Sequence, residues 1–85
     1  MKYRVEYTPR AQKQINKLPQ SYQKKILARV EELAENPRPR GTEKLEDNLF
    51  RNRVGPYRIL YKVFDDSLLI TVTKVGDRKD VYRKK

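Results

Sequence analysis

The sequence contains no cysteine and no histidine. Thiol nucleophiles, disulfide cross-links, zinc sites of the usual Cys/His kind and imidazole acid–base chemistry are thereby excluded, so any catalysis must draw on carboxylate, Tyr, Lys, Arg or Ser/Thr groups. The lack of cysteine is compatible with a reducing cytosol. No apolar run approaches the roughly 18 residues of a membrane-spanning helix, and the start MKYRVEYTPR has no hydrophobic signal segment, which points to a cytoplasmic protein without membrane contact. Large apolar side chains are scarce as well. Leu, Ile, Val and Phe make up 21 of the 85 residues, just above the roughly 20% below which highly charged chains stay disordered. A chain this short buries only roughly 60 to 65% of its unfolded surface. Its apolar residues must therefore be gathered on one face of each element, within one domain spanning residues 1–85.

Positive charge is what the chain has in excess. Twenty-one Lys and Arg stand against 11 Asp and Glu, a formal net charge of +10, which favours a polyanionic partner.

The hydrophobic pattern predicts an α+β fold. Tyr3, Val5 and Tyr7 alternate with Lys2, Arg4 and Glu6, the period of a half-buried strand. Thr8-Pro9 then supplies a capping hydroxyl and a proline suited to a first helical turn. Ala11, Ile15 and Leu18 recur at helical spacing until Leu18-Pro19. Ser21 is positioned to cap a second helix with a stripe of Tyr22, Ile26, Val30 and Leu33, widened by Leu27 and Ala34 and ended by Asn36-Pro37. The short joint predicts a helical hairpin laid on a sheet. Residues 37–47, PRPRGTEKLED, read as an ordered connector. Three extended stretches follow, Leu49 to Val54, Tyr57 to Phe64 and Leu68 to Val75, separated by Gly55-Pro56 and Asp65-Asp66-Ser67. Gaps this short make a three-stranded antiparallel meander, which with the first strand forms a four-stranded sheet.

In the stretch from Tyr57, residues Tyr57, Ile59, Tyr61 and Val63 form the core face, and Arg58, Leu60, Lys62 and Phe64 the other. Cations interleaved with apolar groups suit an aromatic, anionic ligand. Arg51 and Arg53 project from one face of their strand, and the hairpin brings Arg58 near them. From Lys74 onward six cations face only Asp77 and Asp80. Lys13, Lys17, Lys24, Lys25 and Arg29 on the helices read as solvated surface groups, and Glu31, Glu32 and Glu35 as an exposed charged face. Arg51, Arg53, Arg58 and Arg78 are candidates for phosphate contact, because Arg offers a permanent charge in a two-pronged fork that matches phosphate oxygens. Tyr82 is open to two readings, a packing aromatic or a base-stacking and proton-transfer group.

Arg51-Asn52-Arg53-Val54-Gly55-Pro56-Tyr57-Arg58-Ile59-Leu60-Tyr61, followed by Val75-Gly76-Asp77-Arg78 and Val81-Tyr82, resembles the RelE toxins of toxin–antitoxin modules, within the RelE/ParE superfamily. Tyr7-Thr8-Pro9-Arg10-Ala11, the Lys17-Leu18-Pro19 break and Leu33-Ala34-Glu35-Asn36-Pro37 extend the similarity over nearly the whole chain. The resemblance implies a fold related to small microbial ribonucleases and an endoribonuclease that cuts translated messenger RNA in the ribosomal A site, without a cofactor or metal. It also implies a RelB-like antitoxin as neutralising partner. By position, Arg58 resembles the family's phosphate-binding arginine, Arg78 its second catalytic arginine and Tyr82 its C-terminal tyrosine. Arg51 and Arg53 stand where the prototype has lysines, and Lys74, Lys79 and Arg83 complete an RNA-binding set.

The chemistry sets its own condition. Ordinary pKa values of about 10 for Tyr, about 10.4 for Lys and above 12 for Arg leave no ready base at neutral pH. Free RNA is then a poor substrate, and a ribosome that holds the messenger in line supplies what the site lacks. Two alternatives stay open on the sequence: a ParE-like toxin that inhibits DNA gyrase by binding, and a non-catalytic RNA or ribosome binder.

Overall fold

A computed structural model of the chain describes residues 2–77. Strand β1 (Arg4–Tyr7) leads into helix α1 (Pro9–Asn16), whose start is set by Thr8: its hydroxyl accepts the Ala11 N–H at 3.1 Å, and proline occupies the first turn. Ala11 and Ile15 are the buried positions of this helix. Helix α2 (Gln20–Glu35) follows Pro19 and ends at Asn36, ahead of Pro37. Ser21 lies inside the first turn of α2 rather than at its cap, a correction to the expected role. Gln23 instead secures the joint between the helices, its Nε2 donating to the Leu18 carbonyl at 2.8 Å. Ile26, Val30, Leu33 and Ala34 are buried as the periodicity predicts, but Leu27 is 43% exposed. Its place in the helical period puts it on the flank of the stripe.

The meander consists of β3 (Leu49–Val54), β4 (Tyr57–Phe64) and β5 (Leu69–Asp77), with a 3-10 turn at Asp65–Ser67. A fifth strand, β2 (Glu43–Glu46), lies in the segment expected to be connector, so the sheet has five strands in the order β1-β5-β4-β3-β2. Only β1 and β5 run parallel. Nearby Pro37, Pro39 and Gly41 mask β2 in the sequence, and Leu45 is its only apolar residue. Pairing with β3 rather than burial forms it, with Glu43 opposite Arg51 and an ion pair of 2.8 Å between them.

Both helices cover one side of the sheet. There Ala11, Ile15, Ile26, Val30 and Leu33 meet Ile59, Tyr61, Val63, Ile70, Val72 and Val75 in the main core. Tyr61 keeps its hydroxyl paired in the interior by donating to the Pro37 carbonyl at 2.7 Å, and burial pushes its pKa up. Among the described residues the opposite side carries a small cluster of Leu49 and Leu60 with Leu45 against them.

A bulge in β5 sets the facing of the strand's end. Leu60 pairs with Lys74 but Tyr61 pairs with Val72, so Thr73 is the extra residue. Val72 and Val75, three apart, thereby both reach the core. The bulge is satisfied by α1: Gln14 Oε1 accepts the Val75 N–H at 2.7 Å, and the Thr8 hydroxyl donates to the Thr73 carbonyl at 3.1 Å.

Candidate functional site

Directly opposed residues of antiparallel strands share a face, so the register lays out the side of the sheet opposite the helices. One row runs Glu43, Arg51, Leu60, Lys74 across β2 to β5, and the next runs Arg53, Arg58, Gly76. Lys62 lies beyond, between Leu49 and Thr71. Arg51, Arg53 and Arg58 are thus brought to one face, as expected from the alternation, and the β5 register adds Lys74 to it. Arg78, Lys79, Tyr82 and Arg83 lie outside the described residues.

The β3–β4 turn fixes the closest of these pairs. Val54 pairs with Tyr57, and Gly55 takes the left-handed conformation (φ 58°) that closes the hairpin between them. Arg53 and Arg58, the next pair inward, stand opposite each other, where two like charges repel unless an anion lies between them. On its other flank Arg58 faces Gly76, which has no side chain to cover the guanidinium. The β5 bulge brings this glycine, rather than Val75, to that position. Arg58 forms no ion pair or hydrogen bond among the described residues, and it is half-buried. Of the three arginines on this face it is the one best placed to receive an external anion.

The other two arginines of this face differ. Arg51 is committed to Glu43, whose carboxyl it holds below the usual carboxylate range through their hydrogen bond, with Arg58 adding to the pull. Arg53 Nε donates to the Gly55 carbonyl at 3.3 Å, which draws the side chain toward the turn. Tyrosines with displaced pKa values move away from phenolate: Tyr3 is raised by its hydrogen bond to Asp65, Tyr7 and Tyr61 by burial. None of these three serves as a ready base. Among the described residues no cluster of three or more Asp or Glu is arranged to hold a metal ion.

Two residues outside the expected set shape the region. Asn52, only 3% exposed, occupies a core position of β3 between Phe50 and Val54. Its Oδ1 accepts from Nη1 of Arg29, its Nδ2 donates to the Thr42 hydroxyl at 3.2 Å, and Arg29 Nη1 also reaches the Arg53 carbonyl at 2.8 Å. Arg29 is therefore no free surface cation, as its place on the helix suggested. It ties α2 to the strand that carries Arg51 and Arg53. The signal was present, because a polar residue at a core position requires a partner and Arg29 borders the Ile26–Val30 stripe.

Comparisons with known proteins agree with this architecture. Residues 5–82 match the family model described as the ParE toxin of the type II toxin-antitoxin system parDE. The chain is 33% identical to RelE1 of Methanocaldococcus jannaschii, over 98% of each chain, and 32% identical to the toxin RelG of Mycobacterium tuberculosis, over 99% of this chain and 100% of that protein. The archaeal RelE–RelB complex from Pyrococcus horikoshii OT3 contains a chain that superposes with a TM-score of 0.85 at 30% identity, covering 95% of this chain and 100% of the other. A chain of the RelBE2 toxin–antitoxin complex from Mycobacterium tuberculosis superposes with a TM-score of 0.81 at 26% identity, covering 94% and 95%. With the fold, the turn motif and the family match in accord, the chain belongs to the RelE/ParE superfamily and is a RelE-type toxin of a type II toxin–antitoxin system.

Proposed function

We propose that the protein is an endoribonuclease that cuts messenger RNA on the ribosome. The observation that carries the reading is the Arg53–Arg58 pair at the β3–β4 turn, open on its Gly76 side. In the reaction the 2′-hydroxyl of the nucleotide attacks the adjacent phosphorus and loses its proton to a base. The bond to the 5′-oxygen of the next nucleotide breaks, and that oxygen takes up a proton. The products are a 2′,3′-cyclic phosphate and a 5′-hydroxyl. Arg58 neutralises the charge that builds on the phosphorane, with Arg53 beside it. Arg78 stabilises the same charge or the leaving oxygen, and Tyr82 stacks on a base or takes the proton. The reaction draws on no cofactor. Arg51, Lys74, Lys79 and Arg83 hold flanking phosphates.

No histidine is available as base, and the displaced tyrosines shift away from phenolate. The site is therefore rich in charge stabilisation and poor in proton transfer. Alignment of the 2′-hydroxyl by the ribosome, which can be worth many orders of magnitude in effective concentration, compensates for this. A RelB-like antitoxin neutralises the toxin, and the module acts in the cytoplasm. Primer extension on translating ribosomes should reveal new messenger ends that fade in Arg58→Ala and Arg78→Ala. Growth arrest with intact messenger would refute the reading.

The match of residues 5–82 to the ParE toxin family favours one second reading, a ParE-like inhibitor of DNA gyrase that acts by binding. A supercoiling assay separates the two, because the ribonuclease leaves gyrase unaffected.

A further inference from the structure

On the helix side of β3 the molecule has a second basic concavity. A groove of about 470 Å3 lies between α2, the loop before β2 and the β3–β4 turn, lined by Arg29, Arg40, Gly41, Asn52, Arg53 and Gly55. Among the described residues three arginines line it and no carboxylate does. Arg29 is fixed in advance: Nη1 serves Asn52 and the Arg53 carbonyl, and Nε faces Glu32 at 3.3 Å. Nη2 is the one guanidinium nitrogen left without a partner among the described residues. Arg40 is exposed and makes no ion pair or hydrogen bond among them. Space stands open around Gly41, with nothing within 4 Å of where a Cβ would lie.

We propose that this groove is a second phosphate site, which takes a backbone phosphodiester of the RNA strand whose reacting phosphate lies at Arg58. The inference rests on the reading of the open face as an RNA site. Arg53 joins the two places, since its side chain stands opposite Arg58 while its backbone carbonyl anchors Arg29 in the groove. Positive surface is thus continuous around the β3–β4 turn. Guanidinium groups bind phosphate oxygens in a two-pronged fashion without reading base identity, so the contact positions the strand rather than selecting it. An acidic peptide would meet the same charge, but the groove continues the path of a strand held at Arg58, and among the described residues no apolar or aromatic side chain that could anchor a peptide lines it.

The test is anisotropy of the full chain with a 2′-O-methyl single-stranded oligonucleotide of about twelve nucleotides, which cannot be cut, titrated from about 50 to 200 mM salt. Arg40→Ala should weaken binding about fivefold near 0.1 M salt and make the log–log salt slope shallower by about 0.7, the value of one lost phosphate contact on a single strand. Arg40→Glu should weaken it further, and Lys13→Ala, exposed on α1, should leave affinity and slope unchanged. Wild-type affinity in both Arg40 variants, with binding weakened in Arg58→Ala, overturns the groove and leaves the open-face reading standing. No binding by the unaltered protein overturns both. An equal loss in Lys13→Ala reduces the effect to diffuse charge and overturns the site. So does a loss of antitoxin binding in Arg40→Glu without loss of RNA binding.

Discussion

Replacing Gly55 by alanine tests whether the β3–β4 turn holds the paired arginines in place. Gly55 has φ 58°, and an ideal Cβ there would stand 2.9 Å from Cε1 of Tyr22, a ring packed edge-on against Tyr57 at a centroid distance of 5.0 Å. The left-handed conformation costs an alanine about 1 to 2 kcal/mol, offset by about 0.4 to 1 kcal/mol from the stiffer unfolded chain. Either the Tyr22 ring is displaced, forfeiting about 0.5 to 1.5 kcal/mol of aromatic pairing, or it stays and the forced contact costs about 1 kcal/mol or more. The expected net loss is about 2 kcal/mol, the sum of the backbone cost and one of these. Gly41→Ala is the internal control, because φ is 91° there but nothing lies within 4 Å. It should lose only about 1 kcal/mol, since the backbone strain acts alone. Urea unfolding followed by circular dichroism reads both variants. In messenger cleavage Gly55→Ala should fall well below Gly41→Ala, because the turn sets the Arg53–Arg58 register and its carbonyl holds Arg53. If Gly55→Ala is no less stable than Gly41→Ala, the contact with Tyr22 is not what fixes this turn.

Three further outcomes follow from the same geometry. Arg58→Ala should lower the cleavage rate by about 10²- to 10³-fold, as removal of a single charge-stabilising donor commonly does, while the urea midpoint stays near that of the unaltered protein. Gln14→Ala should destabilise the fold by about 1 to 3 kcal/mol, the cost of a buried N–H left unpaired, here that of Val75 at the bulge. Acid should also weaken the fold. Asp65 is held below its ordinary pKa by the Tyr3 hydroxyl and then Arg38, and Glu43 by Arg51. A folded-state pKa below the unfolded one gives stability that is present above the unfolded value, about 4, and is lost as pH falls through the folded value. Thermal unfolding between about pH 5 and 2 should therefore show a decline that is shallower in Asp65→Asn.

The elements whose residues repeat with one period were legible in the sequence. Thr8-Pro9 and the Ile26, Val30, Leu33 stripe fix both helices, and Tyr57 to Val63 announces its core face without ambiguity. What escaped has a common cause, namely structure that depends on a partner distant in the chain. β2 has a single apolar residue and exists because β3 offers it an edge and Arg51 offers Glu43 a counter-charge. The end of β5 could not be assigned a face by alternation, since the Thr73 bulge is fixed by Gln14, some sixty residues earlier. Arg29 looked like an ordinary helix cation because its partners, Asn52 and the Arg53 carbonyl, lie across the core. At the candidate site, strand alternation and the short hairpin sufficed to gather Arg51, Arg53 and Arg58, whereas Lys74, beyond the Thr73 bulge, joins them through the β4–β5 register. Alternation did not reveal that Glu43 occupies Arg51 or that Gly76 leaves Arg58 open.

In the proposed reaction Arg58 works on a phosphodiester whose geometry the ribosome supplies. Purified ribosomes carrying a messenger with a vacant A site, mixed with the protein, provide the most direct measurement. Messenger ends should appear bearing 2′,3′-cyclic phosphate and 5′-hydroxyl groups. They should vanish when the nucleotide before the cut is 2′-deoxy, diminish strongly with Arg58→Ala, and be nearly absent when the same messenger is free in solution. Messenger that stays intact on the ribosome with the unaltered protein in excess, or that is cut equally with Arg58→Ala, would contradict the account.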